Sequence, residues 1–211
     1  AERSGILNLG VEGMMIMGAV SAFATAYTTG SPYLGVAAGI AAGALASLPF
    51  AFLTISMVTN QVATGLALTI LGLGLSGMIG DAYIGLPGVK LAPIYIEGLS
   101  DLPYVGRILF SQDIIVYASI VLVLTVWYFL FKSRAGLSLR AVGDSHSSAH
   151  ALGVSVRKVR YLAVIFGGAC AGLAGAYLSL VYTPQWTEGM TAGRGWIAVV
   201  LVVFATWMPG R

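Results

Sequence analysis

Glu12 is the costly residue of the first apolar segment, and Asn8 lies four residues before it. On a helix the two share a face, within reach of each other. A carboxylate at membrane depth is expensive and belongs against a bundle interior, a cavity or the interface. It is as well suited to a helix N-terminus, where the macrodipole favours an anion, and the run after Gly13 is helix-like. Asn60, Gln61 and Thr64 form a second polar group. Asn60 is a good N-cap residue, and the same trio could line the way of a hydrophilic solute. His146 and His150 have the i, i+4 spacing of a helical metal pair, but no Glu or Cys accompanies them. Cys170 is the only cysteine, so neither a disulfide framework nor a metal cluster is expected, and a small buried hydrophobe is. No phosphate-cradling Gly-Lys-Ser/Thr loop and no nucleophile–base arrangement occurs. No catalytic residue, metal site or cofactor follows from the chain, and any ATP it depends on is hydrolysed by another polypeptide.

The elements that carry these residues are set by composition. Of 211 residues, 58% are hydrophobic and 9% charged, with mean hydropathy +0.90. Soluble domains carry about 25% charged residues. Residues 13–80 form a run of 68 without Asp, Glu, Lys or Arg. That run excludes a soluble enzyme, a nucleic-acid-binding domain and a disordered tail, and implies a polytopic membrane protein. A span takes about 20 helical residues. Candidate spans are 13–29, 33–56, 62–80, 113–131 and 161–182, with a shorter apolar run at 195–206. The expected fold is all-α, a bundle of about five to six transmembrane helices forming one transmembrane domain over 1–211. Strands are excluded by continuous rather than alternating apolar runs. Gly30-Ser31-Pro32 marks a turn between the first two spans, and Asn60-Gln61 separates the next two.

The net charge of +3 reflects topology rather than a nucleic-acid partner. Six of the eleven basic residues, Lys132, Arg134, Arg140, Arg157, Lys158 and Arg160, lie in loop 132–160 against Asp144 alone. Loop 81–112 with its border holds Lys90 and Arg107 against Asp81, Glu97, Asp101 and Asp113. The positive-inside rule puts 132–160 in the cytoplasm and 81–112 outside, where Pro87, Pro93 and Pro103 suggest an irregular cap. Small residues recur at helical spacing: Gly35, Gly39, Gly43 and Ser47; Gly65, Thr69, Gly72 and Ser76; Gly168, Gly172 and Gly175. Such faces let helices approach closely or leave room for a tight solute path. In the basic loop, Asp144 is placed to cap a short helix over 145–152 that Gly153 ends, with Ala149 and Leu152 as its apolar face. There is no internal repeat. The chain opens without Met and stops directly after an apolar run, so it reads as a fragment of a longer protein.

Four segments carry a resemblance: residues 5–19 (GILNLGVEGMMIMGA), 60–77 (NQVATGLALTILGLGLSG), 134–164 (RAGLSLRAVGDSHSSAHALGVSVRKVRYLAV) and 187–209 (TEGMTAGRGWIAVVLVVFATWMP). In this order they resemble permease subunits of bacterial ATP-binding cassette importers. The match is to the branched-chain amino acid and simple-sugar permease superfamily, on its sugar–nucleoside branch. The resemblance implies a multi-pass inner-membrane subunit that pairs with a second permease, two cytoplasmic ATPases and an extracytoplasmic solute-binding protein. It implies that Arg140, Ala141, Val142, Gly143 and Asp144, with Ala149, Leu152 and Gly153, form the coupling segment that docks on the ATPase. Family members often continue the Gly-Asp/Glu with Asn-Pro, whereas Ser145-His146 follows here. The resemblance also implies a nucleoside or simple sugar as solute. The polar side chains available to such a solute are Asn8, Glu12, Asn60, Gln61, Glu188 and Arg194. Rival readings are a branched-chain amino acid permease, an ion-coupled secondary transporter using Glu12, and a membrane scaffold.

Overall fold

The structure is a computed structural model that describes residues 1–93 and 112–206. Among the described residues all regular structure is helical: α1 (Val11–Thr29), α2 (Pro32–Ala51), α3 (Gln61–Gly80), α4 (Ile114–Lys132), α5 (Arg134–Asp144), α6 (His146–Ala151), α7 (Val156–Tyr177) and α8 (Arg194–Phe204). α2 and α7 each run on into a wider turn, Phe52–Ser56 and Leu178–Tyr182. Within α2, Pro49 lacks the N–H that an α-helix interior requires, and the widened turn follows directly.

Helix boundaries follow local chemistry. Gly30 ends α1 in the left-handed region at φ 70° and donates to the Ala26 carbonyl, and Pro32 opens α2. Asn60 caps α3, its side-chain oxygen accepting from the amides of Val62 at 2.9 Å and Ala63 at 3.1 Å. Both boundaries match the sequence reading. The outer-loop charges Glu97, Asp101 and Arg107, and Pro103, lie outside the described residues, as do Trp207 and Pro209.

Hydropathy and burial run in opposite directions. α4 has a mean hydropathy of 2.5 and 11% of its window buried; the α7 span has 1.8 and 56%. The α2 and α3 spans fall between. α1 is not among these four helices, yet at 19 residues it is about 28 Å long. It lies at the centre, packed against α2, α3, α7 and α8. A helix walled by protein needs less lipophilic surface than one facing lipid, which is why α1, with Glu12 in its first turn, can fall short of the apolarity of those four spans.

The small-residue rows are the contact lines between these helices. A methyl placed on Gly18 of α1 would lie 2.5 Å from Gly172 Cα of α7, and one on Gly43 of α2 would lie 2.6 Å from the same atom. On the other side of α1, a methyl on Gly13 would lie 2.6 Å from the Leu68 carbonyl oxygen, and one on Gly72 of α3 would lie 2.7 Å from Gly13 Cα. These glycines meet backbone, so they serve close packing.

Candidate functional site

Residues 183–193 leave the end of α7 and turn back into the bundle. Trp186 anchors this stretch, buried against Ile16, Val20 and Phe23 of α1, with its indole over Gly80 of α3. The backbone then passes through positive φ at Ala192 (45°) and Gly193 (81°) and enters α8. The N-terminus of α8 meets Glu12, which is only 4% exposed. Glu12 Oε1 accepts the Gly193 N–H at 2.9 Å and Oε2 accepts the Gly195 N–H at 2.6 Å. Gly195 has no room for a side chain, since a methyl there would lie 2.6 Å from Glu12 Oε2 and 2.8 Å from its Cα. Gly13, the next residue, packs on Leu68 and Thr69 near the middle of α3. The α8 N-terminus is therefore buried deep in the bundle, and α8 is a half-helix that starts there. The unpaired amides and positive dipole end of such a helix are satisfied by the carboxylate. Glu12 lies in the first turn of its own helix, as the sequence reading has it, and its carboxylate also meets the N-terminus of α8.

Asn8 does not share a helix face with Glu12, which corrects the i, i+4 reading, because α1 begins at Val11. Asn8 instead forms a turn: its Oδ1 accepts the Gly10 N–H at 2.9 Å, and its Nδ2 donates to Met14 Sδ at 3.4 Å. An Asn side chain competes with helix by bonding its own nearby backbone. Gln61 Oε1 accepts the Leu7 N–H at 2.8 Å, and the Thr69 hydroxyl is 3.3 Å from the Leu9 carbonyl. Non-helical backbone within a bundle must find such partners. Asn8, Glu12, Asn60 and Gln61 thus each hold backbone groups. Glu188 and Arg194 are exposed; the Glu188 carboxylate lies over Gly77, and the Arg194 guanidinium stands 4.9 Å from the Tyr182 ring. Trp196 beside them is also exposed. A groove of about 170 Å³ follows the other flank of α8, lined by Ala1, Asn8, Val11, Gly167, Ala198 and Val202 among others.

The basic loop folds as two short helices. Ser133 caps α5 by accepting the Gly136 N–H at 2.9 Å. Arg140 stands 5.3 Å over Phe131, tying α5 to the end of α4. Val142 is buried, and Gly143 sits against residues 3–5, where a methyl would collide with the Arg3 carbonyl oxygen. Asp144 is the last residue of α5, not the cap of the next helix; Ser145 takes that role, its hydroxyl facing the Ser148 amide at 3.4 Å. The extended backbone at Ser145 (φ −151°) makes this possible. Gly153, at φ 80°, follows the end of α6 as expected. Ala149 and Leu152 do not form one apolar face: Ala149 is 2% exposed and packs inward, whereas Leu152 is 82% exposed.

A half-helix starting inside a bundle, a buried carboxylate on its amides and a two-helix basic loop accompany a sequence match over the whole chain. Residues 1–211 match the family model described as the branched-chain amino acid transport system permease component. The chain belongs to this permease family. It is 47% identical, over all of its length and 65% of the relative's, to a putative glucose ABC transporter permease protein of Haloferax volcanii. It is 34% identical to a guanosine ABC transporter permease protein of Bacillus subtilis, covering 99% of this chain and 69% of that one. A nucleoside ABC transporter permease protein of Lactococcus lactis is 30% identical with the same coverage. The chain thus spans about two thirds of the length of the curated relatives it matches. No solved structure matches it. In this permease, Trp186, Gly193 and Gly195 are site residues that sequence reasoning missed. The available signal was the Gly193-Arg194-Gly195 triplet opening an apolar run too short to span.

Proposed function

We propose that this chain is the membrane-spanning part of an ATP-binding cassette importer that moves a nucleoside or simple sugar across the cell membrane, the inner one where the envelope has two. A second permease, a pair of cytoplasmic ATPases and an extracytoplasmic solute-binding protein complete it. The observation that carries this reading is the family match over residues 1–211 together with the relatives' names, which specify glucose, guanosine and nucleoside transport. The basic loop 132–160 faces the cytoplasm, where α5 and α6 dock on the ATPase through Asp144, Leu152 and Gly153. The solute path runs along the exposed side of residues 182–196. Glu188 and Arg194 offer hydrogen bonds to hydroxyls and ring heteroatoms, and Trp196 offers a flat apolar surface of the kind sugars and bases stack on. Asn8, Glu12, Asn60 and Gln61 each accept backbone amides through side-chain oxygens, so this path is not assigned to them.

The test is solute-stimulated ATP hydrolysis in the reconstituted complex with its binding protein. A nucleoside or a simple sugar is expected to stimulate, and stimulation by leucine or valine alone would overturn the solute assignment. Arg194→Ala is expected to raise the solute concentration for half-maximal uptake about ten-fold, equivalent to about 1.4 kcal/mol, without loss of ATPase association. Unchanged uptake by that variant would remove Arg194 from the path.

A further inference from the structure

The buried contact between α8 and the bundle lies at the helix's N-terminal end. Gly195 is its one buried residue, and the amides on either side of Arg194 end on the Glu12 carboxylate. The remainder of the helix, from Trp196 to Phe204, is exposed or half-exposed. Glu12 in turn stands at the end of a stretch whose other end rests on the basic loop. Gly143 seats against the Arg3 carbonyl, Arg160 Nε donates to the Ser4 carbonyl at 3.2 Å, and Ser4 is fully buried. Between these contacts, residues 5–12 are held to the first half of α3 through Gln61 and Thr69. One unbroken stretch of backbone thus touches α5 at one end and grips the half-helix at the other.

We propose that Glu12 is a positioning residue, the joint through which movement of the coupling loop reaches α8 and the path wall beside it. This rests on the importer reading above. Both carboxylate oxygens are occupied by backbone amides, so Glu12 neither binds solute nor carries an ion. It keeps α8 and residues 1–12 moving as one body, and when the ATPases close and push α5, Arg194 and Trp196 shift with it. A dissociable side-chain contact between two otherwise separate elements is the kind of two-arrangement link that coupling requires.

The experiment uses the complete reconstituted complex and reads solute molecules imported per ATP hydrolysed. Glu12→Gln replaces one acceptor with an NH2 that opposes an amide N–H and removes the charge. It is expected to lower that ratio at least ten-fold while hydrolysis and ATPase association stay within two-fold of the unmodified complex. Gly195→Ala attacks the joint from the other side and is expected to do the same. The double variant is expected to be no worse than either single one, because both break a single contact. A merely structural role would lower hydrolysis and uptake together and leave their ratio unchanged, and that result overturns the proposal. If Glu12→Gln fails to assemble, the ratio in Gly195→Ala decides on the same terms. Should the unmodified complex show no ATP-driven import, the importer reading fails; import in it with an unchanged ratio in the variants defeats the joint alone.

Discussion

Gly172→Leu is expected to abolish accumulation of folded permease in the membrane. Gly172 lies where α1, α2 and α7 converge, and each neighbour is backbone. A methyl on Gly172 would lie 3.0 Å from Gly43 Cα and closer still to the Gly39 carbonyl oxygen; from the opposite side, a methyl on Gly18 would meet Gly172 Cα at 2.5 Å. A core overpacked against flexible side chains loses about 1–3 kcal/mol. Here the axes of α2 and α7 would have to separate, and in lipid close packing is the principal cohesion, with no hydrophobic effect to replace it. The control is Gly74→Leu in α3, where nothing lies within 4 Å of an added methyl. Size-exclusion profiles of detergent-extracted, fluorescently tagged protein are expected to show no monodisperse peak for the Gly172 variant and at least half the normal peak for the Gly74 one. Equal peaks would mean that α2 and α7 do not meet as described.

Leu152→Asp is expected to reduce ATP-driven uptake more than ten-fold while leaving the folded permease intact. Leu152 is 82% exposed beside a helix otherwise built of Ser, His and Ala. Such a side chain contributes almost nothing to internal packing, so its replacement costs the fold little. In a docking groove the same side chain is an apolar anchor, and truncated anchors cost 2 kcal/mol or more, roughly a thirty-fold loss of affinity. Asp144→Arg, at another exposed position of the segment, is expected to act in the same direction. Gly143 is a poorer probe, because a larger residue there displaces residues 3–5 as well. Co-purification of the ATPase from detergent, measured alongside uptake, checks both substitutions; full co-purification with full uptake would assign docking elsewhere.

The helices were legible because their signals are local. Gly30-Ser31-Pro32 ends one helix and starts the next by backbone preference alone, and Asn60 caps α3 with amides two and three residues away. The glycine rows told which faces pack closely, since absence of a side chain has the same meaning wherever the partner lies. What stayed hidden was chemistry between distant residues. Glu12 could be placed at a helix N-terminus, but its partner amides are more than 180 residues further on, and no spacing rule reaches that far. Asn8 read as helical because periodicity ignores the turn that its side chain makes with Gly10. The cap of α6 was displaced by one residue, since α5 continues through Asp144 and only the extended Ser145 can reach back. Ala149 and Leu152 share an apolar character, and the short α6 turns one inward and the other outward.

On the function proposed above, this permease moves its solute on ATP hydrolysed by a separate subunit docked on residues 140–153. Uptake of radiolabelled guanosine and glucose into proteoliposomes containing the whole complex, with ATP and the binding protein supplied, tests it directly. Import of one of them is expected to require ATP, to cease when the ATPase subunit is made unable to hydrolyse it, and to be indifferent to ionophores. Uptake that persists without hydrolysis and collapses when the ion gradient is dissipated would contradict the account and make this chain a secondary transporter.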